Sequence, residues 1–177
     1  MNNILGTVSQ ILEVHEKDIL IMATEVLFHD TSLPWKKSYL EYQSGDWRTV
    51  TLMNTSGLSA DNKISDGMAI PTEALTLLPQ IEAFLKQLNL KYMWVRLTKL
   101  APNGYLWEHT DYAELNTERR LRLHLPLSTN NKSMISFPEV NVHLAKGFLW
   151  KLNPTSRHGA ANMGTSTRIH LILELLS

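Results

Sequence analysis

Four side chains in the second half of the chain have the types and spacing for redox metal chemistry: His109, Asp111, His158 and Arg168. His109-Thr110-Asp111 sets an imidazole and a carboxylate at positions i and i+2. Such residues point the same way along extended chain and can reach one ion. His158 has to come from a later strand, which a rolled sheet brings back to the first. Two imidazoles and one carboxylate make the facial donor set that holds non-haem Fe(II) in oxygenases and leaves coordination positions open. Arg168 adds the cation that a dianionic co-substrate needs. Fe(II) with Asp111 carries one net positive charge, a 2-oxoglutarate dianion reverses it, and Arg168 restores neutrality. A planar guanidinium also matches a carboxylate in a two-pronged hydrogen bond.

Strands must position these residues, and the second half of the chain reads as strands. They are expected near 91–100, 105–109, 119–127, 132–136, 139–144, 147–152, 157–163 and 167–175. Turn signals separate them, among them Pro102-Asn103-Gly104, Asn130-Asn131 and Lys146-Gly147. Two of these strands share a pattern. In Leu121-Arg122-Leu123-His124-Leu125-Pro126-Leu127 the leucines fall on one face, with Arg122 and His124 on the other. In Arg168-Ile169-His170-Leu171-Ile172-Leu173 the residues Ile169, Leu171 and Leu173 oppose Arg168 and His170. If helices cover the apolar face, the Arg/His face lines a polar cavity inside a barrel.

The first half mixes short strands and helices. Ile4 to Val8 reads as a first strand, and Asp46 to Met53 as another. His15 to Phe28 has apolar residues at helical spacing: Ile19, Leu20, Met22, Ala23, Val26 and Leu27. Pro71-Thr72-Glu73 opens a second helical segment with Leu75, Leu78, Ile81, Phe84, Leu85 and Leu88 on one face, and Pro79 can divide it. The expected architecture is mainly β with flanking helices, a double-sheet jelly roll or cupin-like barrel. Residues 1–177 are expected to be a single domain, 1–90 flanking a jelly-roll core at 91–177 that carries the metal site.

Composition narrows the partners. With 177 residues, 44% hydrophobic and 19% charged, the chain can bury a substantial core. Lys+Arg and Asp+Glu both number 17, so no basic excess points to nucleic acid or a membrane surface. There is no cysteine, so any metal must use His, Asp or Glu. The absence of cysteine fits the cytoplasm. The N-terminus lacks the pattern of a signal peptide, and no apolar run is long enough to span a membrane.

The stretches HTDYAELNTERRLRLHLPL and GFLWKLNPTSRHGAANMGTSTRIHLIL resemble the aspartyl/asparaginyl β-hydroxylase family of Fe(II)/2-oxoglutarate oxygenases. The family pattern of His-x-Asp, an R-L-H-L strand, Gly before an aromatic-rich strand, His, and a final Arg is present in order. The likeness extends to the bacterial L-proline cis-4-hydroxylase branch through the N-terminal ILG, through Trp47 and Asn54-Thr55-Ser56-Gly57, and through the Tyr-x-Glu-Leu after the metal motif. The resemblance implies a double-stranded β-helix with Fe(II) at His109, Asp111 and His158. It also implies 2-oxoglutarate held by Arg168 with help from Arg122 and His124. O2 is the other reactant, and the products are succinate, CO2 and a substrate hydroxylated at an unactivated C–H bond. Retention of Asp111 favours hydroxylation over halogenation. The free-proline hydroxylases of that branch continue past their last strand. Without that segment the pocket is expected to be more open and to admit a peptide residue or a carrier-bound amino acid.

The other candidates are substrate contacts. Trp47 and Asn54 come from the resemblance; Trp107 and Tyr112 lie beside the metal motif, and Tyr112 to Glu118 reads as a lid or a plain connecting loop. Trp107, Trp150 and Tyr92 read as core or cavity walls, and His170 as a structural histidine. His15, His29 and His143 read as ordinary surface or helix residues. The leading expectation is a hydroxylase of an amino acid, free or within a peptide or carrier-bound intermediate. The alternative is a cupin-like module that binds a metal or carboxylate without turnover.

Overall fold

The computed structural model describes residues 3–4, 8–111, 120–153 and 155–176. The first half contains β1 (Asn3–Ile4), β2 (Val8–Glu13), α1 (Glu16–Phe28), β3 (Lys36–Lys37), β4 (Gln43–Ser44), β5 (Trp47–Asn54), β6 (Ile70–Pro71) and α2 (Pro79–Leu88). The second half is all strand: β7 (Tyr92–Leu100), β8 (Gly104–His109), β9 (Arg120–Ser128), β10 (Ser133–Phe137) and β11 (Val140–Val142). β12 (Phe148–Leu152), β13 (His158–Asn162) and β14 (Arg168–Leu176) complete it. One sheet runs β1-β2-β12-β9-β14-β7-β5-β3, with β6 on β5; the other runs β11-β10-β13-β8-β4. All pairings are antiparallel. The result is the jelly roll read from the sequence.

The larger sheet is coated on one face by the helices. Leu123, Leu125, Ile169, Leu171 and Leu173 share a core with Ile19, Met22 and Val26 of α1 and Ile81 and Leu85 of α2. That face is dry, and its burial drives the docking of both helices. The Ile19, Met22 and Val26 stripe of α1 turns inward with Ala23 beside it; Leu20 and Leu27 remain exposed. The opposite face of the sheet looks at the smaller sheet across a cavity, as the alternation requires.

Pro79 divides the second helical segment. A 3-10 turn covers Glu73–Leu77, Leu78 adopts φ −128 and ψ 61, and α2 starts at Pro79. Proline disfavours helical conformation in the residue before it, which explains the break. The N–H groups of Gln80 and Ile81, which have no partner within the first turn of α2, donate to the Glu25 carboxylate at 2.8 and 3.2 Å, so α1 caps α2 and fixes their relative position.

The expected first strand, Ile4 to Val8, is displaced. The longer N-terminal strand is Val8–Glu13, and Ile4 of β1 pairs antiparallel with Val8; residues 5–7 of the expected strand lie outside the described residues. Val8 is buried but Ile11 and Leu12 are exposed, so this strand is held by its ladder to β12 and carries little apolar alternation. No described helix is long and apolar enough to cross a membrane.

Candidate metal centre

β8 and β13 place the two histidines directly opposite each other, His158 with His109. Their ring centroids are 4.7 Å apart. Asp111 follows β8 and turns its carboxylate between them: His109 Nε2 lies 3.4 Å from Oδ1, and His158 Nε2 lies 3.5 Å from Oδ2. One ligand atom from each of the three residues falls within 4.8 Å of the others. This is a donor set that could hold one ion.

The histidine tautomers suit that use. His109 Nδ1 donates to the Trp107 carbonyl at 2.6 Å, and His158 Nδ1 donates to the Ser156 carbonyl at 2.8 Å. A carbonyl only accepts, so each Nδ1 carries the proton and each Nε2 presents its lone pair to the centre. Burial lowers the pKa of His109, which favours the neutral, ligating form. Burial would raise the Asp111 carboxyl, but the positive charge beside it, that of the Arg122 guanidinium foremost, holds the group well below the usual carboxylate range. Two neutral imidazoles and a fixed carboxylate fit a divalent iron.

A β-bulge aims this centre. His158 pairs with His109 but Ala160 pairs with Leu106, so Gly159 alone opposes Trp107 and Glu108. Leu106 and His109 therefore both face the cavity. Trp107 is turned outward, 54% exposed, and stacks on Tyr105. Trp107, expected as a substrate contact because it lies beside the metal motif, is not among the residues lining the cavity. A Cβ on Gly159 would come within 2.8 Å of the Leu106 carbonyl oxygen, against backbone that has nowhere to go. Gly159→Ala is expected to lower stability by about 1–3 kcal/mol in urea denaturation and to weaken metal binding, because relieving the clash rotates His109.

The cavity behind the centre has a volume of about 600 Å³. This is enough for two small molecules side by side. Its floor is the polar face of the larger sheet, with Arg122, His124, Arg168, Arg96 and Thr98. Arg168 is buried, and its Nε and Nη1 have no hydrogen-bond partner among the described residues. Burial pushes its guanidinium down to about 10, so it is still charged at neutral pH. Such a cation calls for an anion.

Arg122 sits differently from the expectation of a free co-substrate ligand. Its Nε donates to Glu174 Oε1 at 2.5 Å and its Nη1 donates to Asp111 Oδ2. It links the buried Glu174 on β14 to the carboxylate of the centre.

His124 and His170 are both buried, their Nδ1 atoms 3.5 Å apart, and the Nε2 of each lacks a partner among the described residues. Burial first, and then neighbouring arginines, hold both pKa values well below the ordinary value. The unfolded chain thus takes up protons before the folded one. Stability is complete above the unfolded pKa of about 6.5 and falls as pH drops below it. Thermal unfolding should show a lower midpoint at pH 5.5 than at pH 7.5. His170→Gln should flatten that dependence; an unchanged slope in the variant would contradict this role.

Residues 13–177 match the family model described as aspartyl/asparaginyl beta-hydroxylase. The chain belongs to that family. Within it the chain is similar to the L-proline cis-4-hydroxylase of Rhizobium meliloti (strain 1021), 25% identical over 146 residues, covering 79% of this chain and 51% of that protein. It is similarly close to L-proline cis-3-hydroxylase 1 of a Streptomyces species, 26% identical over 146 residues, covering 79% of this chain and 50% of that protein. The chain therefore spans about half the length of these curated relatives. Among solved structures, a Pseudomonas putida prolyl-4-hydroxylase superposes with a TM-score of 0.60 at 14% identity, over 98% of this chain and 95% of that one. A Trichoplax adhaerens prolyl hydroxylase superposes with a TM-score of 0.60 at 12% identity, covering 96% of this chain and 83% of that one. At those identities the likeness is one of fold.

The expected aspartyl/asparaginyl β-hydroxylase site residues divide clearly by position. His109, Asp111, His158, Arg168, Arg122, His124 and Trp47 all line the one cavity. Asn54 does not. Its amide donates to the Leu58 and Asp61 carbonyls at 2.9 and 2.8 Å, and its oxygen accepts from Gly57 N–H, so it ties a loop together. Tyr112 and the expected lid at 112–118 lie outside the described residues, apart from their anchor at Asp111. Arg96, Thr98 and Glu174 were not singled out in the sequence. The signal was present: Val95-Arg96-Leu97-Thr98 alternates as β9 does, and Glu174 shares the parity of Arg168 and His170. Tyr39 and Tyr42, on the cavity wall, had no such signal, because β4 brings them there by pairing with β8.

Proposed function

We propose that this family member is a 2-oxoglutarate-dependent non-haem iron hydroxylase of an amino acid. The carrying observation is the pairing of a His–Asp–His donor set with a buried arginine, Arg168, whose Nε and Nη1 have no partner among the described residues, in one cavity. In this reading His109 and His158 bind Fe(II) through Nε2, and Asp111 supplies the carboxylate. When bound, Fe(II), 2-oxoglutarate and O2 supply C–H hydroxylation, one oxygen atom entering the substrate and the other entering succinate as CO2 is lost. The protein's part is position and field. Arg168 holds a co-substrate carboxylate, with the neutral His124 ring beside it as a hydrogen-bond donor or acceptor. Arg122 holds Asp111 in place, and Glu174 holds Arg122. Trp47, Tyr39 and Tyr42 form an aromatic wall that limits water around the reacting C–H bond.

The family match and the named activities of the curated relatives support the reading. L-Proline, named for both relatives, is the first substrate candidate. We treat residues 1–177 as one oxygenase domain, because the helices of the first half share a core with the strands of the second. The test is succinate release with Fe(II), 2-oxoglutarate and O2 across free amino acids and short peptides. Stimulated release together with a hydroxylated product is expected. Protein that binds metal but yields no succinate with any of them would favour a binding module.

A further inference from the structure

α1 is apolar on two opposite faces, and the fold uses one of them. Ile19, Met22 and Val26 are buried against the larger sheet. With about 100° of turn per residue, the opposite face carries Lys17, Leu20, Ile21, Thr24, Leu27 and Phe28. Leu20 is 65% exposed, Leu27 62%, Phe28 80% and Ile21 38%. Glu16 and Asp18 flank this face rather than interrupt it. A helix apolar on both sides is ordinarily buried on both. An apolar patch of roughly 500 Å² with a polar rim marks a surface where something docks.

The middle of the patch is built to be covered. Thr24 sits there, and its hydroxyl donates back to the Leu20 carbonyl at 2.8 Å, so covering it strands no donor. Its side chain is also the smallest of the six, which lets a second helix approach most closely at that point. The spacing is its own complement. Turned end for end about a two-fold axis through Thr24, the helix sets Leu20 against Phe28 of a second copy, and Ile21 against Leu27. Lys17 then lies at the C-terminal end of the other helix, whose last turn has no basic residue to complement its carbonyls. A parallel pair would instead set Lys17 against Lys17 and align the two helix dipoles. Charge therefore selects the antiparallel arrangement.

We propose that the outer face of α1 binds a second copy of this chain, as an antiparallel two-fold helix pair centred on Thr24. Doubled across the axis, the patch supplies the apolar centre of an interface of standard size, about 1,600 Å² in total. α1 coats the side of the larger sheet turned away from the cavity, so both cavities stay open in the pair.

Sedimentation of the full chain over about 1–100 μM measures the association. The protein should sediment at twice its 20.2 kDa mass. Leu20→Glu and Leu27→Glu should each raise the dissociation constant by about 100-fold or more, with the circular dichroism of wild type. Both side chains are exposed, and the two variants test the face independently should either misfold. Because the chain has no cysteine, single thiols report the geometry. Thr24→Cys should be joined to its own copy by a thiol cross-linker that spans the roughly 8–10 Å between packed helix axes. Leu20→Cys alone should not, but Leu20→Cys mixed with Phe28→Cys should give the mixed pair. Wild type that stays monomeric over this range would overturn the proposal and leave the face to a different partner. A dimer indifferent to both glutamates would overturn it by placing the contact elsewhere. Leu20→Cys that joins to itself as readily as Thr24→Cys would overturn the antiparallel pairing.

Discussion

Replacing His158 with alanine is expected to abolish metal binding and turnover while leaving the protein folded. His158 comes from the opposite strand to His109 and Asp111, so its loss leaves only two donors from one short segment. The penalty should exceed the roughly 10- to 100-fold that loss of an outer hydrogen-bond partner costs a metal site. The fold should survive, because among the described residues the ring is tied to the backbone through the Ser156 carbonyl alone and sits at the cavity edge. Asp111→Ala should lose the metal as completely. It differs in also depriving the buried Arg122 of a carboxylate partner, so it should melt lower than His158→Ala. Equilibrium dialysis with Fe(II) or Mn(II), with thermal melts alongside, checks both statements. Wild-type metal affinity in His158→Ala would contradict the ligand set.

Arg168→Met should have two opposite effects. Two charge-assisted hydrogen bonds from a guanidinium to a carboxylate contribute about 3 kcal/mol or more together, so affinity for 2-oxoglutarate should fall by roughly 100-fold or more. The apo protein should become more stable. Wild-type Arg168 is buried without a hydrogen-bonded partner at Nε or Nη1 among the described residues, and burial pulls its pKa down to about 10. That depression is the signature of a charge the empty fold holds at a cost, and methionine removes the cost while filling the space. Conversely, 2-oxoglutarate should raise the melting midpoint of wild type and fail to do so in the variant. If the apo variant were less stable and bound the co-substrate normally, Arg168 would be a structural residue and the dianion would sit elsewhere.

What could be read from the sequence follows from how local each signal was. The strands of the second half were legible because Leu121 to Leu127 and Arg168 to Leu173 alternate cleanly, and alternation survives whatever the sheets do around it. The same alternation identified the cavity-facing Arg122, His124 and Arg168 before any pairing was known. Pro79 announced its own break between two helical segments. Trp107 adjoins the metal motif in sequence, but the bulge opposite Gly159, which turns it outward, depends on how β8 meets β13. The partnership of Arg122 with Glu174 needed the β9–β14 register, which no single segment encodes. Asn54 has the polar character of a ligand contact, yet its hydrogen bonds go to backbone that the chain supplies only after it turns at Gly57. Val8–Glu13 was displaced because a strand held at the sheet's periphery by its ladder need not alternate in hydrophobicity.

The central claim is that one cavity holds both a divalent iron and 2-oxoglutarate. It is tested most directly by titrating the apo protein anaerobically with Fe(II) and then with 2-oxoglutarate while recording the visible spectrum. A metal-to-ligand charge-transfer band should appear on the second addition, be absent in His158→Ala, and need a much higher 2-oxoglutarate concentration in Arg168→Met. Folded, metal-bound wild-type protein that develops no band at saturating 2-oxoglutarate would contradict that claim.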